Sequence, residues 1–181
     1  MKGIVFTEFL EMVEGELGPL QAQRVLDSCA LQSGGAYTSV GTYPCEEMGM
    51  LVGAVSKTTG QCPTALFRVF GHHLAASFKE AYPQYFETDD FFDFVESIDS
   101  RIHVEVQKLY ADAELPQFHI IMRTDDTLVV DYHSSRALEH LAHGLLEASA
   151  LAFGETVEIA QEPVGDSVRR VVRFRLTRRL Q

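Results

Sequence analysis

The sequence predicts an α+β fold in which most helices come first and the strands follow. Through most of the first 110 residues, apolar side chains recur at intervals of three and four, which is the period of an amphipathic helix. From Phe118 onwards, several short runs instead alternate apolar and polar side chains, as half-buried strands do. No connecting segment is longer than an ordinary loop, so we expect two subdomains that pack directly on each other around one buried cleft.

Four helical segments are predicted in the first part of the chain. Gly34-Gly35 interrupts the apolar pattern after the second segment, and Thr59-Gly60 ends the third, since glycine commonly follows a helix. Pro63 suits the first turn of the fourth helix, which is apolar on most sides and should therefore lie deep in the protein. The apolar stripes cover residues 6–13, 20–31, 48–55 and 65–78.

A long helix with one apolar face is predicted over residues 91–109. Thr88-Asp89-Asp90 offers an N-terminal cap, with acidic side chains at the positive end of the helix dipole. His103 lies on this helix between Ile102 and Val106. A buried imidazole needs a partner for each ring nitrogen, so His103 is either a hydrogen-bonded core residue or a metal ligand.

The other histidines give weaker signals. His140 and His143 are three residues apart on a predicted helix and could share a face. They have no acid or cysteine at a fixed offset that would indicate zinc. The remaining histidines, which have no partner at a recognisable spacing, are His72, His73, His119 and His133.

A hairpin, a helix and two further strands are predicted after Leu115-Pro116. The hairpin strands cover 118–122 and 128–132, the helix covers 136–153, and the last two strands cover 156–160 and 168–177. Six arginines lie between Arg169 and Arg179, in part alternating with apolar residues. We interpret the last strand as a solvated edge strand protected by charge, in preference to a site for polyanions.

Tyr132, Ser134 and Arg136 are spaced by two, so in an extended chain their side chains share one side. A guanidinium can hold a carboxylate through two hydrogen bonds, and two hydroxyls can donate to the remaining oxygens. The three residues therefore favour a carboxylate-binding group. The alternative is a polar strand end at which Ser134 or Ser135 caps the following helix, and the spacing leaves both interpretations open.

Composition and charge exclude several classes of function. The net charge of -11 opposes binding to nucleic acid or anionic membranes, and no apolar run is long enough to span a bilayer. Cys29, Cys45 and Cys62 lack CxxC spacing, which predicts three buried thiols in a reducing compartment such as the cytoplasm. The chain also lacks a nucleophile elbow, a phosphate-binding glycine loop and a His-Glu-x-x-His motif, so we predict no enzyme activity.

Taken together, these residues resemble the haem nitric oxide/oxygen binding (H-NOX) domain, the family that includes the haem domain of soluble guanylate cyclase. The resemblance covers nearly the whole chain, and Tyr132-x-Ser134-x-Arg136 is its most specific motif. The other marks are Met1-Lys2-Gly3-Ile4-Val5, the segment from His103 to Tyr110, and Leu115-Pro116.

The resemblance implies a single haem-binding domain over residues 1–181. A helical subdomain (1–62) would pack on a mixed subdomain (63–181) with a long ligand-bearing helix and a four-stranded antiparallel sheet. The cofactor would be haem b, with His103 as the axial iron ligand and with Tyr132, Ser134 and Arg136 holding its propionates. Pro116 would press on the macrocycle and distort it.

The resemblance also implies an apolar distal pocket. Bound oxygen acquires negative charge that a hydrogen-bond donor stabilises, whereas neutral nitric oxide gains little from one. Oxygen-binding relatives carry a tyrosine where this sequence has Leu141, so the expected ligands are nitric oxide and carbon monoxide. An oxygen-binding sensor and, less favoured, a haem-dependent enzyme or a haem-free interaction module are the alternatives. The expected distal residues are Val5, Phe9, Leu74, Phe78, Leu141 and Leu145.

The family mechanism implies that nitric oxide releases His103 from iron and so relaxes the helix that carries it. Because no kinase or cyclase segment follows, the expected effector is a separate protein, either a histidine kinase or an enzyme of cyclic diguanylate turnover. Some relatives hold a structural zinc with cysteines and a histidine near the C-terminus. Since no cysteine follows Cys62, no zinc is expected.

Overall fold

The computed structural model describes residues 1–165 and 170–179 and confirms the α+β fold. The helices are α1 (Gly3–Leu17), α2 (Pro19–Asp27), α3 (Glu46–Thr59), α4 (Pro63–Ala81), α5 (Phe91–Ser97), α6 (His103–Leu109) and α7 (Glu139–Ala152). The strands are β1 (Gln117–Arg123), β2 (Thr127–His133), β3 (Val157–Pro163) and β4 (Val171–Arg178). The predicted start of the last strand, Val168 and Arg169, lies outside the described residues.

The four strands form one antiparallel sheet in the order β1-β2-β4-β3. The arginine-bearing strand β4 is therefore central, and the expectation of an edge strand is wrong. Phe174 on its inner face is fully buried, while Arg173 on the outer face holds Asp131 through two hydrogen bonds of 2.7 and 2.8 Å. Charges on one face leave both backbone edges free to pair, because side chains project out of the plane of the sheet.

A first hydrophobic cluster joins α1, α2 and α3 to one face of α4. Phe9 of α1 meets Phe70 of α4 edge to face, with ring centroids 5.1 Å apart, and both side chains are fully buried. Leu141 of α7 belongs to the same cluster. Each fully buried side chain of this size stabilises the fold by about 1.5 to 3 kcal/mol, so the N-terminal helices and α7 are held together by one core.

A second hydrophobic cluster fills the space between α5, α7 and the inner face of the sheet. Ala142 and Leu146 of α7 belong to it, as do Tyr132 of β2 and Phe174 of β4. Because neighbouring Leu141 belongs to the first cluster, α7 lies between the two cores. A shift of α7 would therefore change the packing of both hydrophobic clusters.

The backbones of α4 and α7 touch where they cross. A Cβ atom at Gly71 would lie 2.5 Å from the carbonyl oxygen of Leu141 and 2.6 Å from the amide nitrogen of Leu145. A Cβ atom at Gly144 would overlap the carbonyl group of Arg68. Side chains larger than hydrogen do not fit at this contact, so it fixes the two leucines relative to α4.

The predicted long helix is helical from residue 91 to 109 but changes its winding in the middle. The Asp90 side chain accepts a hydrogen bond from the Asp93 amide (2.8 Å) and caps α5, as expected. A π-helical segment (Ile98–Ile102) then joins α5 to α6. Its wider turn alters which side chains face the sheet, and His103 is the first residue after it.

Other details of the sequence-based assignment need correction. The second helix ends at Asp27 instead of Leu31, and the residues from Arg136 to Leu138 precede α7. Cys62 is exposed and the other two cysteines are partly buried, so the expectation of three core thiols is wrong. Across residues 1–165 and 170–179, no helix combines the length and apolar character needed to cross a bilayer.

Candidate functional site

His103 is held by a carboxylate one turn earlier in the chain. Its Nδ1 lies 2.8 Å from Asp99 Oδ1, and Asp99 Oδ2 accepts a hydrogen bond from the backbone amide of Phe118 (2.7 Å). The Nε2 atom makes no hydrogen bond to the described residues. The pair of contacts therefore orients the imidazole and leaves one nitrogen available to a ligand.

The surroundings of His103 favour a neutral imidazole. Its side chain is 18% exposed, and burial lowers its pKa while Asp99 raises it by a smaller amount. An imidazole with Nδ1–H bonded to a carboxylate has its lone pair on Nε2, which is the form that binds transition metals. The residue thus fits an axial ligand better than a hydrogen-bonded core group.

Phe118 connects the histidine to the predicted carboxylate-binding group. Its ring centroid is 6.1 Å from that of His103 and 5.3 Å from that of Tyr132. Phe118 on β1 and Tyr132 on β2 are direct cross-strand partners. The sheet therefore brings the ligand helix and the end of β2 to the same side of the protein, although the two segments are far apart in sequence.

Tyr132, Ser134 and Arg136 lie at the end of β2 and in the turn after it. Tyr132 is buried; burial raises the pKa of its phenol, and Ser134 and Arg136 lower it less, so the phenol stays protonated and can donate a hydrogen bond. The Ser134 hydroxyl accepts a hydrogen bond from the Arg136 amide (3.1 Å). Leu138 is the N-cap residue of α7, so neither Ser134 nor Ser135 caps that helix.

The Arg136 guanidinium already binds a carboxylate. It donates to the Glu114 carboxylate (2.6 Å) and to the Glu114 backbone carbonyl (2.9 Å). The arginine side chain is 16% exposed and the glutamate side chain 73%. An external carboxylate could therefore replace the exposed Glu114 carboxylate while the bond to the backbone carbonyl, two residues before Pro116, persists.

The six expected distal residues lie together in the first hydrophobic cluster. Phe9, Leu74 and Leu141 are buried members of it, and Val5, Phe78 and Leu145 are partly buried side chains packed against it. They come from α1, α4 and α7; the glycine contact joins α4 to α7, and Phe9 packs α1 against Phe70 of α4. None of the six lies on α6 or β1, where His103 and its neighbour Phe118 lie with ring centroids 6.1 Å apart, so the imidazole and the apolar group belong to different elements.

These residues fit a planar cofactor that carries iron and two carboxylates. A free imidazole nitrogen, a guanidinium that binds a carboxylate and a partly buried apolar surface are the groups that haem requires. Elsewhere in the described chain, no group of three or more histidine, cysteine, aspartate or glutamate side chains is arranged to hold a metal ion. The expectation of no zinc remains a prediction.

A groove of about 770 Å³ lies outside this site, between α4, α7 and β3. The Glu147 carboxylate lies between two histidines: its Oε2 is 3.1 Å from His72 Nε2, and its Oε1 is 3.5 Å from His143 Nε2. Gln161 bridges His143 and His140, so those two histidines share a face as expected. Burial lowers the pKa of His143, and Glu147 links His72 of α4 to His143 of α7.

The sequence-based interpretation missed Asp99 and Glu114. The spacing of four between Asp99 and His103 on a helix was a visible signal for their contact. Glu114 is 22 residues from Arg136, and no sequence pattern connects them. It also missed the partners of His72 and of His73, which pairs with Glu8 (3.3 Å), because both contacts join different helices.

Comparisons with known proteins identify the family and the fold of this chain. The sequence model of the family described as haem-NO-binding matches residues 2–161. No curated protein matches the sequence. Because the match spans most of the chain, it includes the ligand helix, the end of β2 and the distal residues.

Solved structures resemble the whole chain. The unliganded Fe(II) H-NOX protein from K. algicida is 34% identical with a TM-score of 0.92, over 100% of this chain and 98% of that one. The IWP-051-bound H-NOX from Shewanella woodyi in the Fe(II)CO state is 39% identical with a TM-score of 0.83, over 99% and 95%. The Fe(II)NO H-NOX from S. oneidensis, 24% identical with a TM-score of 0.89 over 99% and 100%, is alike in fold.

Proposed function

The chain belongs to the haem-NO-binding family of haem-based gas sensors, and from that premise we propose that it senses nitric oxide with one ferrous haem b. The observation that carries the proposal is His103, whose Nδ1 bonds to Asp99 while Nε2 makes no hydrogen bond to the described residues. A nitrogen in this state is an axial ligand for iron. Haem supplies the iron that binds the gas.

Tyr132, Ser134 and Arg136 are proposed to hold the haem propionates. Support comes from Arg136, which already bonds to the Glu114 carboxylate at 2.6 Å, and from Tyr132, whose phenol remains a donor because burial raises its pKa. A guanidinium and two hydroxyls can satisfy most of the lone pairs of a carboxylate. Pro116, next to the Arg136 contact, is proposed to press on the macrocycle.

Nitric oxide, with carbon monoxide as a second ligand, is proposed as the gas because the distal side is apolar. Val5, Phe9, Leu74, Phe78, Leu141 and Leu145 offer no hydrogen-bond donor in their side chains. Oxygen bound to iron gains from such a donor and nitric oxide gains little. The pocket would therefore hold oxygen weakly, which lets a nitric oxide sensor work in air.

An oxygen sensor is the second candidate, and it needs a tyrosine hydroxyl near the gas. Two tyrosines pack against the same cluster, but both hydroxyls have other partners. Tyr37 donates to Glu47 (2.6 Å). Tyr43 accepts from the Thr38 amide (2.9 Å), and its hydroxyl can donate to the Thr38 hydroxyl, 3.4 Å away. Tyr110, at the end of α6, instead lies under the Lys2 ammonium group, 4.8 Å from the ring centroid. These contacts favour nitric oxide.

The proposed signal is the release of His103 when nitric oxide binds on the opposite face. A ligand shifts a protein only by its difference in affinity for two conformations, and the broken axial bond supplies that difference. His103 begins α6 and follows the π-helical segment. Its release from the iron would therefore allow both α6 and the π-helical segment to move. The effector is proposed to be a separate protein, a histidine kinase or a cyclic diguanylate enzyme, and the chain itself to be a sensor without catalysis.

The proposed unit is one haem-binding domain over residues 1–181, with a helical subdomain at 1–62 and a mixed subdomain at 63–181. A cytoplasmic location is proposed on the ground that all three cysteines are free, as is usual in reducing compartments. Binding of nucleic acid or membrane is not part of the proposal, because the net charge is -11.

Absorption spectra of the ferrous protein test the proposal. We expect five-coordinate haem without gas, five-coordinate haem with nitric oxide, and no stable complex in air. His103→Gly should lose haem unless imidazole is added, whereas His119→Gly, which changes a histidine outside the site, should not. Failure to bind haem, or a stable oxygen complex, would overturn the assignment.

A further inference from the structure

Asp99 occupies a specific position relative to the proposed iron ligand. One carboxylate oxygen is 2.8 Å from His103 Nδ1, and the other accepts the Phe118 amide at 2.7 Å. Both carboxylate oxygens of Asp99 therefore have a partner, one on α6 and the other on β1. Because Asp99 lies in the π-helical segment and Phe118 is the second residue of β1, the side chain bridges two elements that meet at the site.

The local winding of the chain makes this bridge. The π-helical segment ends at Ile102 and His103 starts α6, so Asp99 and His103 are four residues apart across the change in winding. A π-helical turn within an α-helix is rare and often marks a functional site. The Phe118 amide then fixes the carboxylate, since a charge-assisted hydrogen bond of 2.7 Å is short and directional.

We propose that Asp99 is a positioning residue for His103, which fixes the hydrogen on Nδ1, aims Nε2 at the iron and strengthens the imidazole as an electron donor. This inference rests on the proposed function, in which His103 binds haem iron. A carboxylate that accepts the second N–H of a ligating histidine raises the basicity of the ligand. Asp99 therefore sets how firmly the histidine holds the iron, and hence how readily nitric oxide releases it.

The position of Asp99 also connects the ligand to the segment around Pro116. Phe118 follows Pro116 by two residues, and its amide is bonded to the same carboxylate as His103. If His103 moved away from the iron, it would have to carry the Asp99 carboxylate with it or break their hydrogen bond. The start of β1, which Pro116 directly precedes, would thus be coupled to the position of His103 through the Asp99 side chain.

Asp99→Asn tests the proposal in the haem-loaded protein. Asparagine keeps the size but is a weaker, neutral acceptor, so the iron–histidine stretching frequency in resonance Raman spectra should fall. Haem loss to a scavenger protein should become about 10-fold faster. The matched control is Glu105→Gln. This variant removes a carboxylate of α6 that contacts Lys108 and not His103, so it should change neither the stretching frequency nor the rate of haem loss.

A second experiment separates a role in ligand tuning from a role in folding. In a His103→Gly protein, added imidazole can donate its second N–H to Asp99, whereas 1-methylimidazole cannot. We expect imidazole to bind the haem about 10-fold more tightly than 1-methylimidazole, and we expect this preference to shrink when Asp99→Asn is added. Because the ligand is exchanged within one folded protein, loss of fold cannot produce the preference.

The outcomes distinguish this inference from the function on which it rests. If no variant binds haem with or without imidazole, the proposed function fails. If haem binds, but Asp99→Asn leaves the stretching frequency and the preference between the two imidazoles unchanged, only the role of Asp99 is overturned. A lower frequency together with a reduced preference supports the role.

Discussion

The Arg136 guanidinium bonds to Glu114 twice, through the glutamate carboxylate at 2.6 Å and through its backbone carbonyl at 2.9 Å. One contact depends on the side chain and can be exchanged, while the other depends on the main chain and stays. The arginine therefore has a binding position for a carboxylate and, at the same time, holds the loop that leads to Pro116. Replacement of Arg136 should therefore weaken the binding of a carboxylate and also release the loop before Pro116.

Arg136→Ala should weaken the retention of haem without changing the axial ligand. A hydrogen bond to a charged group contributes about 1.5 to 3 kcal/mol, so haem should pass to a scavenger protein at least about 10-fold faster. The absorption spectrum of the haem that remains should match that of the unchanged protein. Arg24→Ala, on the exposed surface of α2, is the control, and equal rates in the two variants would contradict the assignment.

Glu114→Gln should act in the opposite direction from Arg136→Ala. The neutral amide competes less well for the guanidinium, so haem added to the apoprotein should be taken up faster and lost more slowly. The rate of haem uptake, followed by absorption after mixing, measures the effect. Slower uptake would mean that Glu114 prepares the arginine for the propionate instead of competing with it.

Gly144→Ala should destabilise the protein and disturb the distal side. The new methyl group would overlap the Arg68 carbonyl of α4, and overpacking of this kind costs about 1 to 3 kcal/mol. Thermal unfolding and the rate of carbon monoxide binding measure the two effects. Gly49→Ala is the control, because nothing lies within 4 Å of its added carbon, and it should stabilise α3 by up to about 1 kcal/mol.

Leu141→Tyr should create a measurable oxygen complex. The hydroxyl would supply the donor that the apolar cluster lacks, and a hydrogen bond stabilises the charge on bound oxygen. Absorption spectra of the ferrous protein in air measure the complex. Leu141→Phe adds the ring without the hydroxyl, so an oxygen complex in both variants would attribute the effect to pocket shape.

Glu47→Gln should destabilise the helical half, and the loss should depend on pH. Glu47 is 2% exposed and accepts bonds from the Tyr37 hydroxyl and from the Ser33 hydroxyl and amide. Burial raises the pKa of Glu47, but these bonds together lower it below its usual 4.5. The contribution, about 1 to 3 kcal/mol, is complete above that value and is lost as pH falls through the lower pKa of the folded state.

Urea unfolding of both proteins at neutral pH and at increasingly acid pH measures this dependence. The difference in the free energy of unfolding between the unchanged protein and Glu47→Gln should be largest at neutral pH and should shrink below pH 4.5. A difference that does not vary with pH would mean that the charge of Glu47 is not what stabilises the fold.

The order of helices and strands was predictable because each element carries its own apolar period. The hairpin, the helix end at Gly60 and the start at Pro63 all agree with the structure, since turn and cap residues act locally. The π-helical segment was not predictable, because nothing in the apolar period of residues 91–109 marks a change in winding. Only the structure shows this segment, and within it Asp99 accepts a hydrogen bond from the Phe118 amide of β1.

The candidate site could be predicted only where a motif is compact. Tyr132, Ser134 and Arg136 form such a motif, and His103 joins them only through the family resemblance. The contact between Phe118 and Tyr132, which brings the two segments together, depends on the register of β1 with β2. The central place of β4 likewise depends on which strands pair, since hydrogen bonds between strands carry no residue-specific signal.

By itself, the sequence determined the element types, the polar motif at the end of β2 and the apolar character of the six proposed distal residues. Local propensity and side-chain chemistry are properties of short segments, which a sequence displays directly. The tertiary structure alone decided that Asp99 meets both His103 and Phe118, that Glu114 meets Arg136, and that α4 and α7 touch at two glycines. These are relations between distant or differently wound segments, and they arise only when packing fixes how those segments lie against one another.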